Sequence, residues 1–368
     1  MISLWGHLSY FLTDFHEFLI LIFLAVILCP LGIYHVFKSG VSENRKNFFI
    51  ALLFFLLSFV LIYSGFEAYF RYRFDQSDSL GFLDVSSRWY GRHVVYNNFQ
   101  YRDDKDYSVA KTPGVVRIGV MGDSNTFGYG IKNVDNRFSN LLEAKLNKAG
   151  YKVQVYNFGV PGFDTWNEIS NYYSKDQKFK PDILVWQYFL NDAEATQSAG
   201  TKVLTGIGDT PPLVHFLSQH SFFFDYLYWR LAIKYNSAYT ALGNADMQQY
   251  SIPSVFNFHK QIIGSFVNDL KSRNTKIVVT VLPFFQFFPY YPAEEIHDKM
   301  DRLFKRDNVD ALVDMLPYVA GKKSKDLVVD PYDSHPNEYV HNLIAEKLYN
   351  AIVPLLTKTD KGTFVKDQ

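Results

Sequence analysis

Residues 115–130 read VVRIGVMGDSNTFGYG, and this stretch decides the fold of the chain. Its first half, residues 115–121, is rich in β-branched residues and predicts a buried parallel strand. The strand pattern stops at Gly122, and Ser124 follows on a turn of small and polar residues. A serine at the carboxyl end of a parallel strand can point its hydroxyl into a crevice. Gly, Asp and Ser also favour ordinary turns, so this stretch alone leaves both interpretations open.

Strand and helix patterns alternate from this stretch onward. β-branched or alternating runs predict further strands at 151–157, 182–190, 276–282 and 327–329. Apolar residues at helical spacing predict helices at 137–148, 166–173, 255–272, 293–304 and 342–356. Such alternation is typical of a parallel sheet with helices on both faces. We therefore predict one α/β domain over 113–358, followed by a polar tail at 359–368.

An aromatic insertion interrupts the alternation at 193–250. It contains FFFDYLYWRL at 222–231, and a second aromatic run, FFQFFPYY at 284–291, follows the strand at 276–282. We expect the first run to pack on the sheet, with a lid that touches substrate or bilayer as the alternative. A further hypothesis is that the two runs together wall an apolar acyl-binding cleft.

Two apolar stretches precede the domain, at 18–37 and 48–66. Each has about 20 residues, which is enough for a helix to cross a hydrocarbon core of roughly 30 Å. We therefore predict a membrane anchor of two transmembrane helices over 1–66, joined by a connector at 67–112 to the domain. A cleaved signal peptide is disfavoured, because residues 1–14 contain no Lys or Arg and no small-residue cleavage site follows.

The charges around the two stretches predict an orientation. The short link between them carries Lys38, Arg45 and Lys46 against Glu43, and the positive-inside rule places such a link in the cytoplasm. Arg71 and Arg73, just after the second stretch, argue the other way. We expect the large domain to be extracytoplasmic, in the periplasm of a bacterial cell.

Composition excludes several classes of function. The chain has 37 Lys and Arg against 37 Asp and Glu, so no net charge favours nucleic acid. Cys29 is the single cysteine, which excludes an internal disulfide. No His or carboxylate cluster has metal-ligand spacing, and we expect neither metal nor cofactor. A phosphatase or nuclease fits poorly for the same reasons.

Candidate partners for Ser124 follow later strands of the predicted sheet. Gly162, after the second strand, can offer a backbone N–H to an oxyanion, and the Asn191 amide, after the third, can offer another. Near the end, Asp333 stands two residues before His335 on a predicted loop. Serine catalysis needs a base, a group that orients the base, and oxyanion donors. Each residue also has an ordinary explanation as turn, cap or solvated side chain.

Taken in order, these pieces resemble the four sequence blocks of the SGNH (GDSL-type) hydrolase superfamily over about 115–356. The resemblance implies a three-layer α/β/α sandwich with a flavodoxin-like parallel sheet. It also implies Ser124 as nucleophile and His335 as general base and acid. The oxyanion hole would consist of the Ser124 and Gly162 backbone N–H groups and the Asn191 side chain.

The chain departs from the family pattern at the acid. Many members place it three residues before the histidine, where this chain has Tyr332. Asp333 is therefore the expected acid, with Asp330 as the weaker alternative. The Asp-x-His spacing resembles that of some envelope polysaccharide acetyltransferases.

These observations predict a membrane-anchored serine esterase or O-acyltransferase that acts on an acylated cell-envelope component, a glycan acetyl ester being favoured. The alternatives are a lipid esterase of the lysophospholipase kind and a non-enzymatic membrane-tethered scaffold. The expected partners are an acyl-ester substrate (glycan or lipid), the membrane, and a membrane acyltransferase, with no nucleic acid.

Overall fold

The structure is a computed structural model that describes residues 11–193, 203–232 and 234–356. The predicted tail at 359–368 and part of the predicted insertion lie outside these ranges. The principal helices are α1 (His16–Lys38), α2 (Glu43–Tyr72), α3 (Val85–His93), α4 (Ser124–Phe127), α5 (Phe138–Lys148), α6 (Thr165–Asn171), α7 (Pro212–His220), α8 (Phe222–Ala232), α9 (Lys234–Gln249), α10 (Pro253–Ser272), α11 (Glu294–Arg306), α12 (Leu316–Val319) and α13 (Glu338–Ile352).

The strands are β1 (Val116–Met121), β2 (Val153–Asn157), β3 (Ile183–Phe189), β4 (Lys276–Leu282), β5 (Ala311–Asp314), β6 (Val328–Asp330) and β7 (Asp333–Pro336). The chain divides into two compact units. The first comprises the described residues up to Asp75 together with Leu83–Val85 and Pro211–Leu231. The second comprises Gln76–Phe82, the described part of Ser86–Thr210, and the described residues from Ala232 onward.

The first unit is built on the helices α1 and α2, which pack against each other. Both are long and apolar enough to cross a membrane, and they contain the predicted stretches 18–37 and 48–66. Gly32 allows a close approach, because a Cβ there would lie 3.0 Å from Leu53 Cδ1. Large apolar side chains point outward along both helices; Phe23, Phe54 and Phe55 are more than 60% exposed.

Helix α8 is fixed to α2 through a buried carboxylate. Glu67 accepts hydrogen bonds from Ser221 Oγ (2.7 Å) and from the backbone N–H groups of Phe222 and Phe223 (3.1 and 3.0 Å). These N–H groups belong to the first turn of α8, where a helix has no acceptors of its own. Arg71 Nε pairs with Glu67 Oε1 at 2.8 Å, so the buried charge is compensated.

The aromatic run at 222–231 extends this attachment. The Phe223 ring stacks on Phe66 with centroids 4.9 Å apart, and Tyr226 lies 4.6 Å from Phe70. The prediction that this run packs on the sheet is therefore wrong for these rings, because their partners belong to α2. The sequence pattern of the run is equally compatible with either partner.

The second unit contains a five-stranded sheet in the order β2-β1-β3-β4-β5, with every neighbouring pair parallel. This order is the flavodoxin-like arrangement. It confirms the predicted α/β fold with a parallel sheet, and four of its strands were predicted within two residues of their bounds.

The prediction of a strand at 327–329 is only partly right. β6 covers most of that range, but it pairs antiparallel with β7 in a separate two-stranded sheet. The fifth strand of the main sheet is β5, which pairs with β4 from Val278↔Ala311 to Val281↔Asp314. β5 has only four residues and carries too little pattern to be recognised beside 327–329.

Alternate residues of the central strands face opposite sides of the sheet, so the strands bury both faces. One face packs against α5 and α13, and its core includes Ile118, Val120, Val185, Phe138, Leu142, Ile344 and Leu348. The other face packs against α10 and α11, and its core includes Leu184, Trp186, Val279, Phe266, Leu270, Met300 and Phe304. Each fully buried side chain of this kind contributes roughly 1.5–3 kcal/mol. The result is a three-layer sandwich.

The sheet also determines which loops meet. β1 and β3 are neighbours, with Met121 beside Trp186, although β2 lies between them in sequence. This is the point where strand order reverses, and the carboxyl ends of such strands border a crevice. Ser124 follows β1 and Asn191 follows β3, so both are carried to this edge.

Candidate active site

Three of the predicted residues form a continuous hydrogen-bonded chain. Ser124 Oγ lies 2.7 Å from His335 Nε2, and His335 Nδ1 lies 2.5 Å from Asp333 Oδ1. Ser124 is the first residue of α4, whereas His335 and Asp333 both lie on β7. The alternative acid, Asp330, is engaged elsewhere, since its Oδ1 accepts from Tyr332 N (2.7 Å).

The hydrogen bonds also define the tautomer of the histidine. The Asp333 carboxylate can only accept, so Nδ1 of His335 carries the proton and Nε2 is free to accept from the Ser124 hydroxyl. Burial lowers the pKa of His335, but the Asp333 carboxylate, its hydrogen bond, and the charges of Asp123 and Asp78 outweigh burial and raise that pKa above its ordinary value. The arrangement is that of a general base.

The turn that presents Ser124 depends on close packing at Gly122. A Cβ there would lie 2.3 Å from Thr126 Oγ1 and 2.7 Å from Gln187 Oε1, so only glycine fits. Asp123 then caps α4 by accepting from Asn125 N at 2.8 Å. The backbone N–H of Ser124 opens the helix and has no intrahelical acceptor, which leaves it available to an oxyanion.

A buried arginine from the connector supports the far end of this turn. Arg102 is 1% exposed, and it donates to the carbonyl oxygens of Gly128 (2.5 Å) and Ile131. Arg137 donates to the Arg102 carbonyl oxygen at 2.6 Å and pairs with buried Asp103 at 3.3 Å. The connector, to which the sequence assigned no chemistry, is therefore part of the framework of the site.

The two predicted oxyanion donors beyond Ser124 line the same cleft. Gly162 has a φ of +78° and open space where a Cβ would be, as expected of a backbone that borders a cavity. Asn191 borders the cleft, and its Oδ1 has no hydrogen-bond partner within the described residues. The loop of Asn191 is held by Asp192, whose Oδ2 accepts from Phe189 N (2.7 Å) and whose carbonyl accepts from Thr165 N (3.1 Å).

The cleft has a volume of about 580 Å³, within the usual range for small-ligand sites. Its described lining contains three carboxyl groups, those of Asp78, Asp164 and Asp246, and neither Lys nor Arg. Phe284 represents the second aromatic run, but no described lining residue comes from 222–231. The run at 222–231 belongs to the first unit, so the hypothesis that both aromatic runs wall the cleft stays a prediction.

Sequence reasoning missed the contribution of residues 76–82. Ser77 Oγ donates to Asp333 Oδ2, and Asp78 borders the cleft. Ser79 accepts from Ser334 N at 3.3 Å. These residues sit in a short polar stretch without periodicity, and their partners are more than 250 positions away. Nothing in the local sequence signals them.

A model of the GDSL-like lipase/acylhydrolase family matches residues 120–343, more than half of the chain. The chain belongs to this family. The resemblance inferred from the four blocks is thereby confirmed, and the protein is a serine hydrolase that acts on ester bonds. Among curated proteins, none gives a significant match.

Three solved structures similar to this GDSL-family chain follow. TesA is 16% identical and is covered over 99% of its length by 65% of this chain, with a TM-score of 0.40. The acetyl xylan esterase AlAXEase is 14% identical, with coverage of 64% of this chain and 100% of that one and a TM-score of 0.41. A lipase/acylhydrolase from Enterococcus faecalis is 14% identical, with coverage of 66% and 97% and a TM-score of 0.41.

The electrostatics of His335 predict the pH dependence of this esterase. A base must be neutral, so kcat/KM should rise with pH through an inflection above 6.5, the ordinary pKa of histidine. Asp78→Asn removes one of the charges that raise this pKa, and should move the inflection to lower pH. The measurement is the pH profile of p-nitrophenyl acetate hydrolysis.

Asp330→Asn is the matched control, because the Asp330 carboxyl is half-buried and close to Asp333 but is not among the groups that raise the His335 pKa. It should leave the inflection in place. An inflection below 6.5, or one that Asp78→Asn does not move, would contradict this account of the histidine.

Proposed function

We propose that this protein is a membrane-anchored serine esterase or O-acyltransferase that acts on an O-acylated, uncharged glycan of the cell envelope. The observation that carries the proposal is the chain of contacts from Asp333 through His335 to Ser124, in a cleft whose described lining has three carboxyl groups and no cation.

In the proposed reaction, Ser124 Oγ attacks the ester carbonyl while His335 Nε2 takes the hydroxyl proton. The new C–O bond pushes the carbonyl electron pair onto oxygen, where the backbone N–H groups of Ser124 and Gly162 and the Asn191 amide stabilise it. Each donor contributes roughly 3–4 kcal/mol. Collapse of this intermediate breaks the ester C–O bond, and the departing sugar oxygen takes the proton from His335 Nε2 to become a hydroxyl, which leaves an acyl group on Ser124.

The acyl-enzyme is resolved by the reverse sequence. His335 removes a proton from water or from a second sugar hydroxyl, which attacks the acyl carbon. The bond to Ser124 Oγ then breaks, and Oγ takes the proton back from His335. Water gives hydrolysis and a sugar hydroxyl gives transfer, so the same residues serve both outcomes. We include a membrane acyltransferase in the proposal, as the partner that would supply the acyl group if the protein acts as a transferase.

The charge of the cleft supports an uncharged substrate over a phospholipid. Asp78 and Asp164 would repel a phosphate head group, and no Lys or Arg among the described lining residues offsets them. Burial raises the pKa of Asp246 to about 8. Near neutral pH this carboxyl is therefore mostly protonated, and it can both donate and accept hydrogen bonds, as sugar hydroxyls require.

The extent of the site supports a substrate larger than a simple ester. A second lobe of about 480 Å³ adjoins the cleft and shares Tyr239, Gln286 and Ser334 with it. Gln286 Oε1 is buried and has no partner among the described residues, so it offers an acceptor at the junction. The amide of Asn236 and the hydroxyl of Thr240 line the second lobe. Such groups suit successive sugar units.

The proposed anchor consists of α1 and α2, with the link between them in the cytoplasm. The second unit, which contains Ser124 and is called the catalytic unit below, would lie outside. The positive-inside rule supports this orientation through Lys38, Arg45 and Lys46. Of the two arginines that argued against it, Arg71 is 8% exposed and paired with Glu67, so it is not a free flanking charge. Arg73 alone then opposes the three cations of the link.

Protease treatment of intact spheroplasts tests the orientation. Protease added outside should digest the catalytic unit, with a cytoplasmic enzyme as the protected control. Full protection of the catalytic unit until the membrane is permeabilised would contradict the proposed topology.

Substrate preference tests the proposed activity. The full-length protein in detergent should hydrolyse p-nitrophenyl acetate and deacetylate O-acetylated neutral oligosaccharides. It should be at least about tenfold slower, in kcat/KM, on p-nitrophenyl decanoate and on a lysophospholipid, because the described lining of the cleft has three carboxyl groups and neither Lys nor Arg. Ser124→Ala and His335→Ala are the controls and should abolish all turnover.

Faster turnover of the decanoyl ester or lysophospholipid would contradict the glycan assignment and favour the lipid-esterase alternative. Turnover that survives in Ser124→Ala would contradict the proposed nucleophile.

A further inference from the structure

The segment Gln76–Phe82 precedes the matched family region of 120–343 and begins four residues after the end of α2. Two of its residues, Gln76 and Ser79, hold it against the strand pair β6–β7. Gln76 Nε2 donates to Asp330 Oδ1 at 3.0 Å, and Ser79 N donates to the Tyr332 carbonyl oxygen at 3.1 Å. Ser79 Oγ accepts from Ser334 N and lies 2.9 Å from Tyr239 Oη. The segment is therefore fixed on both sides of Ser77.

Ser77 meets the acid of the hydrogen-bonded chain directly. Its hydroxyl donates to Asp333 Oδ2, while Asp333 Oδ1 accepts from His335 Nδ1 and from His335 N (3.1 Å). Ser77 is 1% exposed and Asp333 is fully buried. Within the described residues no other donor reaches Oδ2. On its other side, a Cβ at Gly130 would lie 2.8 Å from this oxygen, so the carboxylate is closely enclosed.

The hydrogen bond from Ser77 restricts the rotation of the Asp333 carboxylate about its terminal torsion. The terminal torsion of an aspartate is broad, so a carboxylate held at one oxygen can still turn. A hydrogen bond to the second oxygen removes that freedom and compensates the buried charge. The orientation of Asp333 in turn determines that of the His335 ring, and hence the aim of Nε2 at Ser124.

We propose that Ser77 is a positioning residue of the esterase reaction, which acts on Ser124 through Asp333 and His335. The catalytic apparatus thus includes a residue that lies before the family domain and just after the second apolar helix. This inference rests on the proposed roles of Ser124, His335 and Asp333, but it does not depend on the identity of the glycan substrate.

The test measures p-nitrophenyl acetate hydrolysis by the full-length protein in detergent. Ser77→Ala should lower kcat by roughly 10- to 100-fold, the loss expected when a charged group loses one hydrogen bond. KM should stay within about twofold, because Ser77 does not line the cleft. Ser77→Cys, a near-isostere with a weaker donor, should be intermediate, and it serves as the second variant if Ser77→Ala does not fold.

A double-mutant cycle separates positioning from general stability. In an Asp333→Asn background, Ser77→Ala should change the residual kcat by less than about twofold, because its partner is already altered. Ser221→Ala is the matched control: it also removes a buried serine that donates to a buried carboxylate, Glu67, but in the first unit. It should retain wild-type kcat even if its melting temperature falls.

Three results would overturn the proposal. They are an unchanged kcat in Ser77→Ala, an equal loss in the Asp333→Asn background, or an equal loss of kcat in Ser221→Ala. If the proposed roles of Ser124 and His335 were themselves wrong, the result would be different: activity would survive Ser124→Ala or His335→Ala.

Discussion

The catalytic unit depends on one buried charge, the carboxylate of Asp333. An isolated carboxylate in a protein interior is strongly unfavourable, so it must be surrounded by donors. Here the donors come from two distant parts of the chain: the ring and backbone of His335 on the same strand, and the hydroxyl of Ser77 before the domain. Satisfying this charge aligns the histidine, selects its tautomer and directs Nε2 at Ser124.

The sheet supplies the other half of the site. Because β1 and β3 are neighbours, the turn of Ser124 and the loop of Asn191 lie at the same edge of the sheet. Each residue follows its strand by only a few positions. Gly122 lets the turn pack directly on Gln187 of β3, and Arg102 holds its far end through carbonyl oxygens. Ser124 therefore sits on a framework of buried contacts at the edge of the sheet.

Much of this arrangement was predictable from local sequence. The β-branched runs of β1, β3 and β4 and the helical spacing of α5 and α10 define a parallel sheet, because buried strands and amphipathic helices have distinct periods. The Gly-Asp-Ser turn and the Asp-x-His pair each place their polar side chains within three residues, so both could be recognised in the local sequence. Their roles in the reaction remain predictions, although the structure brings them within hydrogen-bond distance.

The rest was not predictable, for physical reasons. Ser77 has no local pattern, and its contact spans more than 250 residues. The run at 222–231 is equally suited to any apolar surface, and only the buried Glu67, which receives the first turn of α8, identifies α2 as its partner. The choice between β5 and 327–329 depended on pairing across the sheet, which short segments do not encode. Long-range hydrogen bonds of buried charges account for most of what local patterns missed.

The central claim is that Ser124, activated by His335, carries the acyl group. The direct measurement is acid-quenched reaction of the full-length protein with p-nitrophenyl acetate, followed by mass spectrometry of its peptides. Acetyl should appear on the peptide that contains Ser124 in the wild-type protein and should be absent from it in His335→Ala. Turnover without acetylation of Ser124, or acetylation of a different residue that accounts for turnover, would contradict the account.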